Sequence, residues 1–105
     1  MSEASEAYLL ERLACVGYPF RDDWSPQVSE ISVDSLIEWT RERLPSYSFR
    51  MVSNPEYQNF NVTARHECGW FIQRQNKSLK LALVKAVLRC FVNERKLEPG
   101  ETIYE

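Results

Sequence analysis

The sequence predicts a two-layer α+β domain: a three-stranded antiparallel sheet packed by helices, in the order α-α-β-β-β-α. Three observations carry that prediction. Apolar residues recur at helical spacing in two segments before Pro45 and in one after Ser78. Apolar and polar residues alternate between Tyr47 and Gln73. The breaks between these segments hold proline, glycine and asparagine. Alternation of this kind belongs to antiparallel strands that bury one face under helices.

The first helix is expected over residues 5–16. Ser5 can cap it, Glu6 suits its first turn, Leu9, Leu13 and Val16 recur along it, and Gly17 stops it. Residues 17–31 read as an acidic, irregular link, in which Tyr18-Pro19, Asp22-Asp23 and Trp24-Ser25-Pro26 exclude regular structure. Trp24 beside Pro26 is either a plug that fastens the link or an interface anchor. A second helix is expected over 33–44, capped by Ser32, with Asp34 at its start and Arg41 and Arg43 at its end. Val33, Leu36, Ile37, Thr40 and Leu44 form its apolar face, and Pro45 ends it.

Three strands follow. Residues 47–53 place Tyr47, Phe49 and Met51 opposite Ser48 and Arg50, and residues 59–65 place Phe60, Val62 and Ala64 opposite Asn61, Thr63 and Arg65. Asn54-Pro55 opens the first turn, Glu67-Cys68-Gly69 makes the second, and residues 70–73 form a short third strand. A last helix starts near Asn76 or Ser78 and runs to about Arg95, closed by Leu97-Glu98-Pro99-Gly100. The helix–strand unit thus spans 33–95, and 98–105 read as a frayed tail.

The last helix has more apolar surface than one face needs. Leu79, Leu83, Ala86, Val87 and Cys90 fall on one side, while Leu81, Val84, Leu88, Phe91 and Val92 occupy much of the other. Either it lies between the sheet and the N-terminal helices, or its second face is an interface, which leaves monomer and homodimer open. Lys77 and Lys80 are expected in its first turn, where the helix dipole disfavours cations unless an anion is held there; a solvated face is the other reading.

The 105 residues suit one domain, and 44% hydrophobic content supplies a core. Thirteen basic and fifteen acidic residues give a net charge of −2 that conceals a split. Residues 1–40 hold two basic and eight acidic groups, whereas 41–96 hold eleven basic and four acidic ones, an asymmetry that points to charged partners. The acidic start has neither a basic n-region nor an apolar h-region, and no run of about 18 apolar residues occurs, so no membrane association is expected. Cys15, Cys68 and Cys90 are odd in number and unclustered, as in reduced cysteines of a cytoplasmic protein.

No catalytic constellation stands out. His66-Glu67-Cys68 joins the sole histidine to an acid and a thiol, too few ligands for zinc, and a Cys-His pair fails if Gly69 makes a turn there. Asp22, Asp23 and Glu30 lack the glycine-containing spacing of a calcium loop, and three scattered glycines build no phosphate loop. The chain therefore reads as non-enzymatic, without cofactor or metal. Its candidate binding residues are Arg65, Arg74, Lys77 and Lys80, which form a basic edge, with Tyr57 at a hairpin tip and Trp70 at the start of the third strand.

The Trp24-Ser25-Pro26 link, the second helix, the hairpin with Gly69-Trp70, and Ser78 preceding Ala82, Leu83 and Ala86 resemble the phage ABA-sandwich family of small phage-encoded proteins, over roughly Trp24 to Phe91. That resemblance implies a phage or prophage source, a small α+β fold, and action by binding a host or phage protein complex, extending to anti-CRISPR-like inhibition of defence. Ser35 to Phe91 is also similar in element order to a double-stranded-RNA-binding domain. Phe60-Asn61-Val62 matches that family's central strand, and Lys77, Lys80 and Lys85 approximate its basic helix start. Asn54-Pro55-Glu56-Tyr57 stands where the family carries Gly-Pro-x-His, and consecutive lysines are absent. A non-catalytic binding protein is expected, with nucleic-acid binding as the alternative.

Overall fold

Serine opens each of the three α-helices. In the computed structural model, which describes residues 5–21 and 25–97, Ser5 Oγ accepts from the Tyr8 N–H at the head of α1 (Glu6–Cys15). Ser32 does the same for Ser35 in α2 (Val33–Arg43), and Ser78 for Leu81 in α3 (Leu79–Asn93). Each hydroxyl satisfies an N–H that the helix leaves unpaired, a bond worth about 1 kcal/mol.

The helix ends are equally specific. Gly17, at φ +97°, donates to Ala14, and Tyr18 donates to Leu13. This paired closure requires a left-handed residue where Gly17 stands. Helix α3 ends in the same pair of bonds, from Arg95 to Val92 and from Lys96 to Phe91, but Arg95 holds the left-handed position at φ +60°. The helix therefore stops before the Leu97-Glu98-Pro99-Gly100 segment expected to close it, of which only Leu97 is among the described residues. Residues 98–105, expected as a tail, lie outside the described residues.

The three strands, β1 (Tyr47–Asn54), β2 (Asn59–His66) and β3 (Phe71–Asn76), form an antiparallel meander in the order β1-β2-β3. The fold class and element order are those read from the sequence. The third strand differs in its bounds. Trp70 precedes it, and pairing continues through Arg74, Gln75 and Asn76 against Val62, Asn61 and Phe60. Those polar residues give no apolar signal, and backbone pairing with the central strand extends β3 through them.

The helices pack on one side of the sheet. Val62 and Ala64 of β2 are fully buried beneath α3, and α1 and α2 also contact α3. Eight residues of α3, from Ala82 to Phe91, are buried. Both its apolar sides are thus covered within one chain, one by the sheet and the other by the N-terminal helices. The width of its apolar surface carries no argument for a dimer.

The link is fastened by aromatics. Buried Tyr18 meets Phe20 and Trp39 edge to face, at 5.1 and 5.3 Å between ring centroids, and Trp39 lies 5.6 Å from Phe91. These contacts tie the link to α2 and α3. Trp24, expected as plug or anchor, lies outside the described residues, as do Asp22 and Asp23. Glu30, in a single 3₁₀ turn over Val28–Glu30, is occupied locally: its two carboxylate oxygens accept from the Arg21 and Gln27 N–H groups. No helix among the described residues is long and apolar enough to cross a membrane.

Candidate binding surface

Strand alternation gives the sheet two chemically different faces. The helix-covered face carries Tyr47, Phe49, Val62, Ala64 and Ile72. The opposite face consists of three cross-strand rows: Ser48–Arg65–Phe71, Arg50–Thr63–Gln73 and Val52–Asn61–Gln75. All of these residues are exposed except the half-buried central Asn61 and Thr63. Two arginines stand on this face and no carboxylate does. Phe71 is 59% exposed, and the Arg65 guanidinium lies 6.0 Å from the centre of its ring.

At one end of this face lies the β1–β2 connection. Gln58 adopts φ +53°, and its N–H donates to the Pro55 carbonyl, so the chain reverses over Pro55–Gln58 and presents Tyr57 at 68% exposure. Tyr57, Asn59, Gln75, Asn76 and Lys77 line an open cavity of about 440 Å³. Across it the Asn59 Nδ2 donates to Gln75 Oε1 at 3.3 Å. The buried Oδ1 atoms of Asn59 and Asn61 have no hydrogen-bond partner among the described residues.

The candidate residues read from the sequence do not form one edge. Arg65 is exposed on the open face, whereas half-buried Arg74 sits opposite Val62 on the helix side and donates to the Gln73 carbonyl at 2.9 Å. Alternation separates them because they differ by an odd number of steps across the sheet register. Lys77 precedes the capping Ser78, so only Lys80 lies in the first turn of α3. An Asx turn, in which Asn76 Oδ1 accepts from the Ser78 N–H, sets this later start. Neither lysine forms an ion pair with a described residue. The structure therefore brings Tyr57 and Lys77 together at one cavity, and Arg65 belongs to the same open side of the sheet.

Trp70 is a packing residue. It is half-buried, meets the Tyr47 ring edge to face at 5.8 Å, and has the Arg89 guanidinium 5.7 Å from its own ring centre. His66 stands beside the same tyrosine, with ring centroids 4.8 Å apart. Its Nδ1 accepts the Cys68 backbone N–H at 3.0 Å, and its Nε2 lies 3.7 Å from Glu94. The contact between His66 and Cys68 is thus a turn bond to the main chain, completed by the Gly69 N–H donating to the His66 carbonyl with Gly69 at φ +103°.

Arg50, Phe71 and the amide set Asn59, Asn61, Gln73 and Gln75 were not singled out by sequence. Alternation in β1 and β2 already separates Arg50, Asn61 and Arg65 from the core-facing residues. The signal missing was the polar half of β3, which completes the rows. Comparison of the chain with protein-family models, with curated proteins and with solved structures gives no match.

Proposed function

We propose that this protein is a non-catalytic binding module that docks on a protein complex and modulates it. The observation supporting this most is the β1–β2 hairpin, which carries three of the four large apolar side chains exposed among the described residues: Met51, Val52 and Tyr57. Exposed apolar groups on both faces and at the tip of one hairpin suit contact with a partner, with Tyr57 supplying a large ring and a polar tip. The resemblance to phage ABA-sandwich proteins supports a host complex as the target, including a defence complex inhibited in the anti-CRISPR manner. The cytoplasm is the compartment that fits three free cysteines.

The test is affinity capture from a bacterial lysate with the wild-type chain and with a Val52→Asp/Tyr57→Ser variant. A defined complex retained by the wild type and lost by the variant is expected. Equal recovery by both, or recovery by neither, overturns the proposal.

A further inference from the structure

We infer that the open sheet face is a binding site for single-stranded nucleic acid. This goes beyond docking through the hairpin: the two surfaces share Val52 and Tyr57 and differ at Phe71 and the arginines. Three features of the face converge on such a ligand.

The first is charge. Arg50 and Arg65 stand on the face without a carboxylate among its rows, and exposed Lys77 extends the positive charge at the Tyr57 end. An anionic backbone is the complementary ligand, and a second copy of the same face is repelled. The second is stacking. Exposed Phe71 lies in the row nearest one end of the face and Tyr57 beyond the other. Rings so placed accept unpaired bases, whose π-faces a duplex keeps within its stack. The third is hydrogen bonding. Between the rings lie Asn59, Asn61, Gln73 and Gln75, of which Gln73 and Gln75 are exposed. Amide side chains match the donor–acceptor edges of bases.

The dimensions agree. Six steps of β2 from Asn59 to Arg65 span about 20 Å at ~3.4 Å per residue, in keeping with a site of roughly four nucleotides or more. Duplex RNA bound through the α3 start would instead use Lys80 and leave the face uninvolved.

Fluorescence anisotropy with labelled 12-nucleotide oligo(U) and oligo(dT) tests the site, with a 12-base-pair RNA duplex as comparison. Binding to at least one single strand in preference to the duplex is expected. With three phosphate contacts, affinity falls about 20-fold between 50 and 200 mM salt. Phe71→Ala weakens it about fivefold or more, and Phe71→Trp retains it. Arg50→Glu/Arg65→Glu abolishes it, while Lys80→Glu leaves it within about twofold. Unchanged thermal midpoints keep these variants interpretable, since all the altered side chains of the face are exposed. No binding at 50 mM salt, preference for the duplex, or indifference to both Phe71→Ala and the arginine pair overturns the inference. Capture of a protein complex by a Phe71→Ala/Arg65→Glu variant that no longer binds oligonucleotide separates the two functions.

Discussion

Asn93 Nδ2 donates a hydrogen bond of 2.7 Å to the Tyr47 hydroxyl, joining the last residue of α3 to the first of β1 across 46 positions of sequence. Tyr47 is buried, and burial pushes its hydroxyl up to about 12, with Glu94 adding to the rise and the Asn93 bond opposing it. In the unfolded chain the hydroxyl titrates near 10. The folded state therefore retains a proton that the unfolded state loses, and stability contributed by the neutral hydroxyl is complete below about pH 10 and lost as pH rises toward 12. Urea midpoints measured from pH 8 to 12 should decline, and Tyr47→Phe should shallow the decline above pH 10. Asn93→Ala should cost about 1 kcal/mol at neutral pH.

Arg95 offers a stabilising substitution. It holds the left-handed position of the α3 closure, where Gly17 holds the equivalent position of α1. Arg95→Gly removes the Cβ strain and should raise stability by about 0.5–1 kcal/mol, a Tm gain of roughly 4 °C for a domain of this size. Gly17→Ala should lower it by about 1 kcal/mol. Calorimetry of the two variants should therefore give shifts of opposite sign.

The Glu30 carboxylate connects the two described ends of the link, with bonds of 2.7 Å from the Arg21 N–H and 3.1 Å from the Gln27 N–H. Glu30→Ala should cost about 1–2 kcal/mol and speed hydrogen exchange at both amides. Glu30→Gln retains one acceptor oxygen and should fall between.

Cysteine reactivity should divide sharply. Cys15 and Cys68 are exposed, whereas Cys90 is buried in α3, where burial pushes its thiol up to about 12. A disulfide reagent at pH 8 should modify two thiols promptly and the third only as the protein unfolds. The neutral Cys90 thiol also adds to alkaline sensitivity, its contribution fading as pH rises from about 9 toward 12.

Periodicity made the helices legible because capping serines and apolar spacing agree at each start. The same spacing showed that α3 has two apolar sides, and the contacts of α1, α2 and the sheet account for both. Trp39 was passed over although it follows Leu36 by three residues; it is buried between Tyr18 and Phe91, a long-range contact that spacing alone does not specify. The four cations near one another in sequence do not share a face. Arg74 turns toward Val62, Lys77 precedes its helix, and Arg65 points to open solvent. Such separation follows from strand register and cap position, which one residue of uncertainty reverses.

The place of α3 also sets an order of assembly. Helix α1 and the sheet are joined through a helix that begins more than sixty residues after α1 ends. During synthesis the three strands can pair as soon as they emerge, but Val62 and Ala64 stay wet until residues 79–93 arrive. Chains that have passed β3 but not yet α3 are therefore the species most exposed to aggregation, and α1 must remain unclaimed by other contacts until α3 is in place.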